Sequence, residues 1–140
     1  MELFQLGSIN YISILSYIIN FVISITVFVV FIKAYLRLSK YNEISILKKG
    51  NSALSWALSG IGIGFAINIA IISFTSKGFI DLLVKVVISC FIQLLIYLKI
   101  PNLSSYMQEE IRENNNIAIG IASGGIFVVI GIINGASFHV

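Results

Sequence analysis

The chain has 140 residues, of which 58% are hydrophobic and 11% are charged, and its mean hydropathy is +1.00. A chain of this length cannot bury so large an apolar excess in one soluble core, so lipid must solvate much of its surface. The net charge of +3 is too small and too dispersed to suggest nucleic-acid binding, so none is expected. A single Cys and a single His exclude a disulfide framework and a Cys- or His-based metal site.

Four apolar runs are each long enough to cross a bilayer, which takes about 20 residues. We predict transmembrane helices over Ile9 to Ile32, Asn51 to Phe74, Phe79 to Leu98, and Asn116 to about Phe138. Helices are expected because backbone groups in lipid must be hydrogen-bonded within the segment, and because these runs do not alternate like barrel strands. The first run has no preceding Lys or Arg, so we do not expect a cleaved signal peptide. The prediction is an all-α membrane protein with one membrane domain over residues 1–140.

Seven of the nine Lys and Arg residues lie in the linkers after the first and third spans. They are Lys33, Arg37, Lys40, Lys48 and Lys49 in the first linker, and Lys99 and Arg112 in the second. Since positively charged linkers stay in the cytoplasm, we expect both linkers there and both termini outside. Residues 34–36 and 44–47 are interfacial in character, so the helices should extend beyond the membrane. The basic residues are expected to contact anionic headgroups, with a specific lipid or partner site as the alternative.

The second half of the chain is similar to the first at an offset of 65 positions. The aligned pairs include Tyr41 with Tyr106, Asn51 with Asn116, Ala53 with Ala118, Ala57 with Ala122, and Gly60 with Gly125. We predict two parallel two-helix repeats, over about 9–75 and 76–140, related by an axis near the membrane normal. The symmetry that packs such halves can continue between chains, so a homo-oligomer is expected.

Polar residues form stripes on spans one and three. The stripe on span three consists of Asp81, Lys85, Ser89, Gln93 and Tyr97, at four-residue spacing on one helix face. Asn20 and Ser24 lie on the corresponding face of span one. Polar side chains at this depth normally face other helices or water. They are therefore candidates for hydrogen bonds between helices or, alternatively, for the lining of a pore.

Spans two and four carry small residues at regular helical spacing. These are Ala53, Ala57, Gly60 and Gly64 in span two, and Gly120, Gly124, Gly131 and Gly135 in span four. Small residues let helix backbones approach closely, so we assign them to helix packing within and between chains. The Gly-rich stretch over residues 59–64 is not a phosphate loop, because it has no Lys and lies in a span.

The sequence lacks the groups that catalysis needs. The only His is His139, near the end of the sequence, so no nucleophile has an evident base. Glu109, Glu110 and Glu113 lie beside Arg112 and are expected to form a solvated helix face rather than an acid–base pair. We therefore expect no enzyme activity, no catalytic residue, no metal and no cofactor.

One segment carries a family resemblance. Tyr41-Asn42-Glu43 and Lys49-Gly50-Asn51-Ser52-Ala53 precede the run from Gly60 to Ile67. This order resembles the bacterial inner-membrane YjfL-like family, a family of unknown function, although Ser55-Trp56 and the second-copy Asn114-Asn115-Asn116 depart from its pattern. The resemblance implies a bacterial inner-membrane location and association with envelope-stress neighbours. On physical grounds, Gly50 ends the first linker, which we call the first elbow (residues 33–50), and Asn51 caps the next helix.

Two functions fit these features. The first is a homo-oligomeric passive pore or channel for ions or small solutes, lined by the polar faces of spans one and three. The second is a non-conducting membrane scaffold in envelope stress, which recruits a cytoplasmic protein through the elbows at residues 33–50 and 99–115. The lipid bilayer is a partner in both, and the sequence does not decide between them.

Overall fold

The computed structural model describes residues 11–138, with the side chains of residues 101–103 excepted. These residues form the helices α1 (Tyr11–Leu38), α2 (Glu43–Lys48), α3 (Ser52–Thr75), α4 (Phe79–Leu103), α5 (Ser105–Arg112) and α6 (Ile117–Ser137), and contain no strand. The long helices α1, α3, α4 and α6 are apolar enough to cross a membrane. The predicted all-α fold with four spans is confirmed.

The first helix extends beyond its predicted span end at Ile32, as the interfacial character of residues 34–36 indicates. It is also the least enclosed of the four, since only Val27 and Tyr35 are buried along it. The predicted span start at Ile9 and the terminal His139 lie outside the described residues.

Polar caps precede four of the helices. A side-chain oxygen accepts a hydrogen bond from the backbone N–H three positions on at Asn42, Asn51, Ser104 and Asn116, which precede α2, α3, α5 and α6. At Asn51 the distance from Oδ1 to the nitrogen of Leu54 is 2.7 Å. Gly50 has a φ of 83°, a left-handed conformation that glycine adopts without steric cost. The expected roles of Gly50 and Asn51 are therefore observed.

Helices α3 and α6 form the most extensive helix pair. Gly120 lies against Ala53, and further along the pair Gly131 lies against Gly64 and Gly135 against Asn68. Since the contacts advance in the same direction along both helices, α3 and α6 are parallel. The helix α4 packs against α1 and α3, and the largest buried side chains include Phe65 and Tyr97.

A long helix, a short helix and another long helix occur twice in the element order. The short helices α2 and α5 lie at the same end of the bundle, because Glu43 pairs with Arg112. We call this end the elbow end. Two repeats in the same orientation would give this order and the parallel packing of α3 with α6, although the repeat itself stays a prediction.

Candidate functional site

A buried ion pair joins the two elbows. Arg112 Nη2 lies 2.5 Å from Glu43 Oε1, and the side chains are 8% and 0% exposed. Ser39 Oγ donates to the same carboxylate oxygen at 2.9 Å, and the guanidinium carbon of Arg112 lies 4.1 Å from the centre of the Tyr41 ring. Because an unpaired buried charge is costly, this pair holds the first elbow against the second.

Two asparagines strengthen the same junction. Asn51 Nδ2 donates to the carbonyl oxygens of Ile111 and Arg112 at 2.9 and 3.1 Å. In the other direction, Asn115 Oδ1 accepts from the backbone N–H of Ala53 at 2.9 Å. We call the residues Tyr41, Glu43, Asn51, Arg112 and Asn115 the elbow cluster. It brings together three of the four residues predicted for the elbow, and Gly50 supplies the turn before Asn51.

The role of Arg112 differs from its expected place on a solvated helix face. Its side chain is almost fully buried because it points at Glu43 in the other elbow. Sequence reasoning did not find this pair because Glu43 and Arg112 come from different halves of the chain. One feature of the sequence could have indicated the ion pair: Glu43 is a carboxylate in a linker whose other charged residues are all basic.

Glu110 organises the start of α6. Its carboxylate oxygens accept hydrogen bonds from Asn114 Nδ2 at 2.7 Å and from Asn116 Nδ2 at 2.6 Å. Hydrogen bonds to the charged form, first from Asn116 and then from Asn114, hold the pKa of Glu110 below its usual range. The negative charge of Glu110 therefore positions the Asn116 cap.

A small cavity of about 30 Å³ lies beside the elbow cluster. Three of the residues that line it carry buried polar atoms with no hydrogen-bond partner in the described part of the chain: Gln108 Oε1, Arg112 Nε and Ser123 Oγ. A cavity of this volume has room for about two water molecules. It is therefore too small to bind an organic substrate.

Part of the polar stripe on α4 faces inward. Ser89 Oγ donates to Asn68 Oδ1 at 2.8 Å, which links α4 to α3. Asn134 Nδ2 of α6 donates to the carbonyl oxygen of Ser89 at 2.9 Å and to Gln93 Oε1 at 3.3 Å. The side-chain amide of Gln93 in turn donates to the hydroxyl of Tyr97. Three helices are thus joined by hydrogen bonds within one chain.

We call Asn68, Ser89, Gln93, Tyr97 and Asn134 the polar column. The first four of these are 0% exposed. Tyr97 ends the chain of bonds by donating to the carbonyl oxygen of Phe127 at 2.6 Å. The column matches the arrangement expected for hydrogen bonds between helices. Asn134 was not singled out from the sequence, because it lies on a helix whose other notable residues are small.

The rest of the α4 stripe lies away from the elbow end. Lys85 Nζ is 3.0 Å from Asp81 Oδ2, and the two side chains are 21% and 35% exposed. Asp81 Oδ2 also accepts from the backbone N–H of Lys77 at 2.9 Å. Asp81 and Lys85 therefore share a helix face with Ser89 and Gln93 but lie outside the polar column.

The two stripe residues of span one occupy a different surface. Asn20 and Ser24 line a groove of about 620 Å³ between α1 and α3. The wall formed by α3 includes Ala66, Ala70 and Ser73. The structure therefore does not bring Asn20 and Ser24 together with the stripe of α4.

The small residues predicted for helix packing lie mainly between α3 and α6. Gly120, Gly124, Gly131 and Gly135 all face α3, and Ala53, Gly60 and Gly64 face α6, while Ala57 is buried and borders the small cavity. A Cβ atom on Gly124 would lie 2.7 Å from the carbonyl oxygen of Trp56, and one on Gly131 would lie 2.6 Å from the Cα of Gly64. The two backbones are therefore in direct contact.

Metal-binding groups are not clustered in the part of the chain that the structure describes. Within residues 11–138, no three His, Cys, Asp or Glu side chains lie close enough to share an ion. The free thiol of Cys90 is buried, and it accepts a long hydrogen bond of 3.8 Å from Asn68 Nδ2.

Comparison with known proteins gives a consistent picture. A family model described as Domain of Unknown Function (DUF350) matches residues 8–138. The UPF0719 inner membrane proteins YjfL of Escherichia coli strain K12 and of E. coli O157:H7 are each 27% identical over 124 residues, which cover 89% of this chain and 93% of the relative. No solved structure gives a significant match. The resemblance to the YjfL-like family is confirmed.

Proposed function

We propose that this chain, which belongs to the family described as Domain of Unknown Function (DUF350), is a membrane scaffold and not an enzyme. It is a small multi-pass inner membrane protein with four apolar helices. In the proposed function, those helices hold a basic surface at the cytoplasmic face, and that surface recruits an acidic protein. The same proposal includes a role for this scaffold in envelope stress.

The observation that carries the proposal is the burial of the polar column. Ser89 and Gln93 are the polar residues at the centre of α4, and both are 0% exposed within a single chain. Their hydrogen bonds go to Asn68, Tyr97 and Asn134 rather than to an opening. Polar groups in a membrane that are satisfied in this way stabilise helix packing. This favours a packed scaffold over a pore lined by α4.

The elbow end supplies the surface for recruitment. The basic residues of the first linker are all exposed and make no ion pair in the described part of the chain: Lys33, Arg37, Lys40, Lys48 and Lys49. Lys33 and Arg37 belong to α1, and in this proposal they contact anionic headgroups. Lys48 and Lys49 end the short helix α2, where a protein carrying acidic groups would meet complementary charge.

Charge reversal tests this function. We expect the Lys48→Glu/Lys49→Glu variant, isolated from cells after cross-linking, to lose a protein that the unmodified chain retains. Lys77→Glu is the matched control, because Lys77 is also exposed but lies at the opposite end of the bundle. If both variants retain the same proteins as the unmodified chain, recruitment through the elbow is wrong.

Three further features belong to the proposal: the chain forms a homo-oligomer, its elbows lie in the cytoplasm, and both termini lie outside. The distribution of Lys and Arg supports the orientation. The large exposed part of α1 supports the oligomer, since Val27 and Tyr35 are the only buried residues on that helix.

A passive pore or channel for ions or small solutes is the second candidate. It is favoured by Asp81 and Lys85, which remain partly exposed, and by the polar side chains of Asn20 and Ser24 in the groove. We expect a pore in reconstituted liposomes to show a conductance that Lys85→Ala alters. A bilayer that stays silent at all voltages would rule out this candidate and leave the scaffold in place.

A further inference from the structure

Asn20 is a polar residue in an exposed part of a membrane helix. It lies about 14 Å along α1 from Tyr11 and about 20 Å from Lys33, at the rise of an α-helix, so it is near the middle of the apolar stretch. Its side chain makes no hydrogen bond with any residue in the described part of the chain. Ser24, one turn further on, lines the same groove.

The bilayer does not satisfy this side chain. Acyl chains offer neither donors nor acceptors, and an amide in hydrocarbon without partners is costly. A polar side chain in a membrane helix can instead bond to the backbone of its own helix. Thr26 does so, because its hydroxyl donates to the carbonyl oxygen of Val22 at 2.7 Å. The amide of Asn20 has both a donor and an acceptor to satisfy, no residue in the described part of the chain bonds either one, and a polar group from a neighbouring molecule would satisfy both.

A second copy of the same chain supplies such a group at the right depth. Two copies in one membrane share an orientation, so a twofold axis along the membrane normal places identical residues at identical depths. Asn20 would then face Asn20 of the second copy. A carboxamide both donates and accepts, so this pair is self-complementary, and Ser24 lies one turn away on the same face.

The shape of the groove favours the same occupant. Its α3 wall carries the small side chains of Ala66, Ala70 and Ser73, which let another helix approach closely. Its volume of about 620 Å³ is large enough for several side chains of a helix seated between α1 and α3.

We infer that α1 is a homodimer interface in which the groove between α1 and α3 receives α1 of a second copy, with the two Asn20 side chains hydrogen-bonded to each other. The inference rests on the homo-oligomer proposed above and names its contact surface. The interface lies within the membrane, apart from the basic surface proposed for recruitment.

Disulfide cross-linking in native membranes tests the geometry. In a Cys90→Ala background, Ser24→Cys should form a covalent dimer under mild oxidation. Val22→Cys is the matched control at nearly the same depth, because Val22 is 55% exposed and points away from the groove. Both variants keep Asn20, so the proposed hydrogen bond stays intact. Cross-linking at position 22 and not at 24 would overturn the interface.

The strength of self-association tests the role of Asn20. We expect Asn20→Leu to lower the dimer association constant in detergent by about three- to thirtyfold, the range for hydrogen bonds between membrane helices. Val22→Leu should leave the constant unchanged. Circular dichroism and thermal melting of Asn20→Leu should match the unmodified protein, because Asn20 bonds no described residue of its own chain.

The outcomes distinguish a failure of the proposed α1 interface from a failure of the proposed homo-oligomer. An oligomer that survives Asn20→Leu unchanged overturns the α1 interface and leaves the homo-oligomer standing. A protein that is monomeric in membranes at all concentrations overturns both, and leaves lipid as the occupant of the groove. Recruitment through Lys48 and Lys49 is measured separately and does not depend on either result.

Discussion

Glu43 and Arg112 show how one pair of side chains can join the two halves of the chain. Each is buried, and each has its opposite charge within hydrogen-bonding distance. Removing one partner leaves an unpaired charge in an apolar setting, whereas replacing both with apolar residues removes the cost together with the bond. The elbow cluster is therefore expected to respond very differently to single and double substitution.

Single substitution of this pair should destabilise the fold strongly. We expect Arg112→Met to reduce the free energy of unfolding by about 3–5 kcal/mol, because it leaves Glu43 buried without its partner. Glu43→Met/Arg112→Met should cost clearly less than Arg112→Met alone. Thermal melting in detergent measures both, with Lys40→Met, which removes an exposed charge, as the control. Equal losses in the single and double variants would contradict this account.

The carboxylate of Glu110 makes the start of α6 sensitive to pH. Its pKa is lowered in the folded protein by hydrogen bonds from Asn116 and Asn114, so its stabilising contribution is full above the unfolded pKa of about 4.3. That contribution is lost as the pH falls through the lower folded pKa. The protection of the Ile119 amide against hydrogen exchange, relative to its intrinsic exchange rate at each pH, should fall on acidification below about pH 4. Glu110→Gln should flatten the dependence and Glu109→Gln should not; an identical pH profile in all three proteins would contradict the assignment.

At the scale of elements, the contact between α3 and α6 is the main structural feature. Their backbones touch, since a Cβ on Gly124 or Gly131 would collide with backbone atoms of α3. In a membrane, such close packing supplies much of the free energy of helix association. The hydrophobic effect does not drive helices together there, because lipid tails are as apolar as the side chains. The glycine positions on the contact should therefore tolerate no added methyl group, unlike those on the lipid side.

Two glycines on α3 provide the comparison. A Cβ on Gly60 would lie 2.5 Å from the carbonyl carbon of Gly124, whereas one on Gly62 would have nothing within 4 Å. We expect Gly60→Ala to lower the free energy of unfolding by about 1–3 kcal/mol, the cost of overpacking. Gly62→Ala should be neutral or stabilising by up to about 1 kcal/mol, because alanine favours helix. Equal melting temperatures for the two variants would disprove the close contact.

The sequence is sufficient to locate the four long helices and insufficient to indicate which helices pack together. Hydropathy located the four spans, and the polar side chain of Asn51 located the start of α3, because both are properties of a local segment. Helical spacing put Ser89 and Gln93 on one face of α4. It did not indicate which helices that face meets, because the positions of Asn68 and Asn134 depend on tertiary packing. The ion pair between Glu43 and Arg112 was not predicted either, because it also depends on tertiary packing.

At the scale of the whole molecule, the side chains of the polar column and the elbow cluster bond within the chain, while two surfaces of the described part stay exposed. The polar column and the elbow cluster hold α3, α4 and α6 together from the middle of the bundle to its elbow end. The basic residues of the first linker remain exposed at one end, and much of the surface of α1 remains exposed. A packed interior with an exposed charged end and an exposed helix face is consistent with the proposed scaffold. A pore lined by α4 would instead need Ser89 and Gln93 to face water.

Accessibility of the native thiol tests this central claim most directly. Cys90 lies on α4 beside Ser89 and is 0% exposed, and it is the only cysteine in the sequence. We expect a charged, membrane-impermeant thiol reagent, added to both sides of native membranes, to leave Cys90 unmodified until the protein is denatured. Lys77→Cys in a Cys90→Ala background should react at once and shows that the reagent is active. Modification of Cys90 in the folded protein at a similar rate would reveal water beside the polar column and contradict the packed scaffold.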